Sequence, residues 1–404
     1  MKAYVARQPI LDRKQRVYGY ELLFRTSMEN IFPDLDHETA TNRLLSDSFL
    51  TVGLENLAGK SRAFVNFPEN LLLEKIPLHL PFTRMVVEIL ETVRPTPALV
   101  EACRDMSDQG VRFALDDFVL TPDWHPLLEI ANIVKFDVLS TPQNELEDML
   151  NQVSCYPVRL LAEKVETHEE FQKYLGMGFE YFQGYFFSKP AIVQSTGIPP
   201  LKINLLAIMA KIANPNLSLN ELEELIGRDA GISYKLLRYI NSAYFATVQK
   251  ISSIRHAVSL LGLDAIRRFT SLLMMNQLGA DKPDELVLSS AIRARFCDLL
   301  GQQSGCKECM QIDLFTLGLF SQLDALLDET MENCLNQLPL EGAIKDALIK
   351  NTGGGAVFLE LVKKYERGDW EAVRKCAEEL CVPDRNVPAC YLEAVEWARA
   401  LEAP

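Results

Sequence analysis

Two patterns of apolar and polar positions divide the chain. Up to about residue 195, short β-rich runs alternate with longer amphipathic stretches. The runs fall at 4–10, 17–24, 63–67, 85–90, 111–116, 133–137, 158–163 and 181–185. Stretches of helical period lie between most of them, at 39–57, 97–108 and 169–175. Strands alternating with helices predict a parallel sheet with crossover helices. The polar residues that end these strands are spaced by 45, 22, 28, 19, 28 and 20 positions. Most of those intervals are one strand–helix unit long, which favours a closed α/β barrel of the TIM type over an open sheet.

The pattern breaks at 192–200, where a glycine and two prolines predict a linker. Beyond it the period is helical, at 203–212, 219–228, 232–243, 253–261, 264–277 and from 285 on. Ser218 with Glu221 three residues later predicts a capped helix start. The glycine-rich stretch 352–355 lacks the Lys-Ser/Thr of a phosphate loop and reads as a helix connection. The expected organisation is a barrel over 1–193, a linker over 194–201 and an all-helical domain over 202–404.

Composition adds limits rather than detail. The 404 residues carry 55 acidic against 41 basic side chains, a formal charge of −14. That balance argues against DNA and anionic membranes as partners by net charge. No run of about 18 apolar residues suggests a membrane span. The N-terminus, interrupted by Arg7 and Asp12, does not read as a signal peptide. Of nine cysteines only Cys306 and Cys309 form a CxxC pair, with no second pair for zinc. Reduced thiols in a cytoplasmic protein are the expectation.

Candidate chemistry gathers at the strand ends of the first half: Glu21, Asn66, Glu88, Asp116 with Asp117, Lys135, Glu163 with Glu166, and Gln183. A single carboxylate in such a place commonly caps the next helix. A set of them in register at the face where strand ends of a barrel converge suggests one site instead. Its hard oxygen donors favour Mg²⁺ or Mn²⁺ over zinc.

The residues around these positions resemble a known family. Glu21-Leu22-Leu23-Phe24-Arg25 fits the E-x-L-x-R signature of EAL domains, the cyclic-di-GMP phosphodiesterases, with Gln8-Pro9-Ile10 before it. The match continues through Asn66, Glu88 and Glu91, Asp116-Asp117-Phe118, Lys135-Phe136-Asp137, Glu163 to Glu166, and Gln183-Gly184-Tyr185. The resemblance implies that Glu21, Asn66, Glu88, Asp116 and Asp117 hold a metal pair. It implies that Lys135 holds the attacking water and that Glu163 is the general base. Gln183, Gln8 and Arg25 would then contact the dinucleotide, while Glu91 and Glu166 organise the neighbouring loops. The family's glycine-rich loop after Asp-Asp-Phe is here Val119-Leu120-Thr121-Pro122-Asp123-Trp124, its threonine before Glu91 is Leu90, and its AEGVE is AEKVE with Lys164. Because that loop helps to assemble the second metal site and the family's dimer, the departures favour binding of metal or cyclic-di-GMP with little turnover. An active Mg²⁺- or Mn²⁺-dependent phosphodiesterase is the alternative, and homodimerisation stays open.

The second half resembles the HDOD domain, an all-helical relative of the HD phosphohydrolases. The resemblance rests on Arg228-Asp229, Asn241-Ser242-Ala243-Tyr244-Phe245, and the stretches 250–258 and 260–263. His256 is the sole histidine of this half, and 318–324 reads GLFSQLD where a His-Asp pair would be needed. A metal-dependent hydrolase is therefore not expected there. The resemblance implies a non-catalytic module that engages a partner signalling protein. The apolar stripe Leu260, Leu261, Leu263, Ile266 and Phe269, with Met274 and Met275, reads as core. Arg255, Arg267 and Arg268 read as a solvated basic face.

Overall fold

The computed structural model describes residues 4–25, 54–116, 122–190, 198–214, 216–227, 230–241, 251, 253–305, 312–336, 338 and 340–400. Its chain divides into two compact units. The first comprises Met1–Phe187 together with Lys364–Glu371, and the second Ser188–Lys363 with Ala372–Pro404. The expected division left Lys364–Glu371 within the helical half, whereas in space this segment belongs to the first unit.

The first unit is a closed barrel of eight strands in chain order. They are β1 Tyr4–Asp12, β2 Val17–Arg25, β3 Arg62–Phe67, β4 Met85–Ile89, β5 Phe113–Leu115, β6 Ile133–Asp137, β7 Arg159–Glu163 and β8 Tyr181–Gln183. From β2 to β8 the neighbours are parallel, joined over the outer surface by helices such as Pro97–Asp108 and His168–Gly176. One strand departs from the parallel sheet: β1 runs antiparallel to both β2 and β8. The cause is local. Asp12 accepts hydrogen bonds from the backbone amides of Lys14 and Arg16, closing a tight turn that leaves no room for a crossover helix.

Alternation of side chains along the strands sorts the interior into layers. One layer is apolar: Ile10, Phe64, Val86, Ala114, Ile133, Leu161 and Tyr181, one residue from each of seven strands, with Tyr18 packed against it. Gly19 of β2 faces Ile10, and a Cβ there would lie 2.7 Å from the Phe64 ring. Glycine is required because phenylalanine already fills that volume. Two residues further along each parallel strand come Glu21, Asn66, Glu88, Asp116, Lys135, Glu163 and Gln183. On the reversed β1 the equivalent step runs backwards, to Gln8, which pairs with Glu21. The apolar layer is the floor of the barrel, and the polar layer stands on it.

The second unit is helical. The expected Ser218 cap is present: Ser218 Oγ accepts from the Glu221 amide, and the Glu221 carboxylate accepts from the Ser218 amide at 2.8 Å. Met274, Met275, Ile266 and Phe269 are buried as expected, but Leu260 of the same stripe is 53% exposed. Of the three arginines Arg255 is exposed as expected, whereas Arg267 is buried and Arg268 is partly covered. Arg255 binds Glu223 and Asn220, Arg268 binds Asp298, and Arg267 is buried beside Asp264. Residues 228–229 and 242–245, and the pair Cys306 and Cys309, lie outside the described residues.

Candidate active site

Lys135 organises the polar layer. Its side chain is completely buried, and its Nζ lies 2.6 Å from Asp116 Oδ1, 2.8 Å from Glu88 Oε1, 2.9 Å from Glu163 Oε1 and 3.5 Å from Glu21 Oε2. One ammonium thus faces four carboxylates brought from β2, β4, β5 and β7. Burial alone would lower the Lys135 pKa. The surrounding carboxylates, Glu163 foremost, outweigh it and hold the lysine well above its ordinary range. Burial raises the Glu88 carboxyl well above normal and that of Glu163 to about 8, against the opposing pull of Lys135. Both carboxyls therefore hold a proton more tightly than an exposed glutamate does.

Amide side chains complete the array. Gln183 Nε2 donates to Glu21 Oε2 at 2.7 Å and to Gln8 Oε1 at 2.9 Å, and Asn66 Nδ2 approaches Glu21 Oε1 at 3.4 Å. Gln183 Oε1, Asn66 Oδ1 and Glu88 Oε2 are buried without hydrogen-bond partners. Buried acceptors without donors are costly unless something bound supplies the missing charge or proton. Hard oxygen acceptors beside surplus negative charge fit a divalent cation. Among the described residues, however, no three His, Cys, Asp or Glu groups stand ready around a single ion. The Lys135 ammonium holds the centre on which the expected metal ligands Glu21, Glu88 and Asp116 converge.

The remaining expected positions fall as follows. Asp117 and residues 119–121 lie outside the described residues, as does the side chain of Arg25, which sits on β2 in register with Tyr4 of β1. Glu91 and Glu166 are exposed, and neither contacts Lys135. Pro122–Trp124 forms a short 3-10 turn with Trp124 buried. Lys164 adopts a left-handed backbone with φ of 58°, the conformation that glycine takes most easily, and its ammonium pairs with Asp137. Glycine at Gly184 is obligatory, because with φ of 145° an added Cβ would lie 2.0 Å from the Val165 carbonyl oxygen.

One contributor had no signal in the sequence. Lys364–Glu371 lies against the start of β1, where Tyr365 is fully buried with its hydroxyl donating to the Val5 carbonyl at 3.2 Å. Trp370 packs on Tyr4 and Tyr365, and Arg367 lies 5.0 Å from the Tyr185 ring centre. No motif or period marks these residues, since their role depends on the rest of the barrel.

Two family profiles match the chain, the EAL domain over residues 3–190 and the HDOD domain over 198–338. Over 401 residues the chain is 39% identical to "Cyclic di-GMP phosphodiesterase CdgJ" of Vibrio cholerae, covering 98% of this chain and 92% of that protein. It is 35% identical over 409 residues to "Uncharacterized protein YuxH" of Bacillus subtilis, covering 99% of each. Among solved structures, an EAL domain protein from Listeria monocytogenes aligns with 46% of this chain and 87% of its own, at 22% identity and a TM-score of 0.38. The calcium and cyclic-di-GMP complex of Klebsiella pneumoniae BlrP1 aligns with 47% of this chain and 56% of its own, at 21% identity and a TM-score of 0.39. Among the described residues, no helix is long and apolar enough to cross a membrane.

Proposed function

We propose a function from one premise: the chain belongs to the EAL–HDOD family of two-domain proteins of cyclic-di-GMP signalling. Its barrel binds cyclic-di-GMP and opens one phosphodiester bond to give the linear dinucleotide pGpG. The observation that carries this reading is the convergence of Glu21, Glu88, Asp116 and Glu163 on buried Lys135, ringed by Asn66, Gln183 and Gln8. The relative with 39% identity across nearly the whole chain bears the name of a cyclic-di-GMP phosphodiesterase.

Glu21, Asn66, Glu88 and Asp116, with Asp117, would hold Mg²⁺ or Mn²⁺. Bound divalent ions supply a more acidic water and neutralise the developing charge of an in-line displacement. Lys135 positions the water, and Glu163 accepts its proton. Gln183 and Gln8 orient the dinucleotide at the rim, where Arg25 offers a cation to its phosphate. The helical unit, whose stretch 318–324 reads GLFSQLD where a metal-binding His-Asp pair would be needed, is read as a module that engages a partner protein.

A second reading, binding with little turnover, has its own support. The loop after Asp117 carries Pro122 in place of flexible glycines, and Lys164 replaces a glycine beside Glu163. One experiment separates the two. Full-length protein is mixed with cyclic-di-GMP and Mn²⁺ or Mg²⁺, product is followed by chromatography, and binding is followed by calorimetry. Turnover abolished by Glu21→Ala is expected. Binding without product selects the second reading, and absence of binding with either ion overturns both.

A further inference from the structure

The closed barrel has a weak seam. β8 pairs with β1 only from Ile10 to Asp12, so on that edge the first half of β1 has no strand beside it among the described residues. Residues of Lys364–Glu371 occupy this edge. Tyr365 binds the Val5 carbonyl, Arg367 covers the ring of Tyr185 just past β8, and the Glu366 carbonyl accepts from Gln8 Nε2 at 3.4 Å. Gly368 turns the segment back with φ of 70°, a Cβ there lying 2.9 Å from Leu23 Cδ1. A stretch distant in sequence thereby reaches the polar layer.

The hydrogen-bond directions give that contact a chemical consequence. An amide group presents donors on one side and an acceptor on the other. With its amino group held by the Glu366 carbonyl, Gln8 turns its Oε1 toward Gln183. Both N–H groups of Gln183 are then used, on Gln8 and on Glu21, and its buried Oε1 has no hydrogen-bond partner. If Gln8 were flipped, two amino groups would face each other and Gln183 would lose this orientation.

We infer that Lys364–Glu371 is a positioning element of the barrel site, in which the Glu366 carbonyl sets the orientation of Gln8 and through it of Gln183, presenting Gln183 Oε1 as an acceptor to the dinucleotide or its metal. The ligand is taken from the proposed function, but the orientation of the two glutamines does not depend on it. Supporting groups behind a contacting residue commonly change affinity or rate by about 10- to 100-fold when lost.

The test uses the full chain labelled with ¹⁵N at glutamine and asparagine side chains. Gly368→Val strains the turn, and Tyr365→Phe removes only the hydroxyl that anchors it. In both variants the side-chain amide signals of Gln8 and Gln183 are expected to shift and to exchange faster. The signal of Asn66, which approaches Glu21 from β3, should stay as in the parent. Affinity for cyclic-di-GMP with Mn²⁺ is expected to fall by about tenfold. Gln8 and Gln183 signals unchanged while backbone amides of 364–371 exchange faster would overturn the inference, and so would equal movement of Asn66. If the parent protein binds no cyclic-di-GMP, the proposed function fails, and the amide signals still decide this point by themselves.

Discussion

Burying Lys135 among four carboxylates makes the site sensitive to every charge in it. Removing one partner of a buried ionic group strands the others, at a cost of about 3–5 kcal/mol. Lys135→Met is therefore expected to lower stability by that order in chemical denaturation and, on the proposed function, to abolish turnover. The loss should be larger at pH 8 than at pH 5. Glu163 titrates at about 8 in the fold, raised chiefly by burial, so its favourable contribution is complete below its ordinary pKa and is lost as pH rises through 8. Without the lysine's opposing pull the Glu88 and Glu163 carboxyls are raised further, and protonation at low pH relieves the strain. A penalty independent of pH would contradict this arrangement. Gly184 makes a purely steric case. Gly184→Ala forces a Cβ onto the Val165 carbonyl and should cost about 3 kcal/mol or prevent folding, read by thermal unfolding. Glu21, Asn66, Glu88, Asp116, Lys135, Glu163 and Gln183 were legible from the sequence because each ends a strand-like run at a comparable interval. The central place of Lys135 was not, since nothing in the spacing says which group the others surround.

The strands were legible as elements because β-rich runs, bounded by turn residues, leave a local trace. The runs at 17–24, 63–67, 133–137 and 158–163 agree with β2, β3, β6 and β7 to within a residue at either end. The direction of β1 left no such trace. It follows from the Asp12 turn, whose consequence appears only when β2 must pair with something. Local signals also serve the helical unit. The Ser218–Glu221 capping box starts the helix Leu219–Gly227, which buries Leu222 and Ile226. Ser218→Ala is expected to cost about 1 kcal/mol, with the Glu221 amide exchanging faster. Unchanged exchange at that amide would show that the cap does not hold the helix end.

At the scale of the whole molecule, the division of sequence is not the division of space. Lys364–Glu371 lies among the helical stretches in the chain yet belongs to the barrel unit. Trp370, packed on Tyr4 and Tyr365, is the test of that membership. Trp370→Ala should destabilise its surroundings by about 3–5 kcal/mol. The effect should appear as faster hydrogen exchange in β1, more than 350 positions away in sequence. If exchange rises only near position 370, the segment is merely laid on the barrel. By itself the sequence determined the eight strand-like runs, the helical period beyond the break near 195, the polar set at the strand ends and the family resemblance. Each of these depends on neighbours in the chain or on residue identity at short spacing. Tertiary structure decided the reversal of β1, the ammonium at the centre of the acids, the glycine that Phe64 demands at position 19 and the recruitment of Lys364–Glu371. These depend on volumes and hydrogen-bond partners that meet only after closure, and no local pattern of residues encodes which distant groups will share one space.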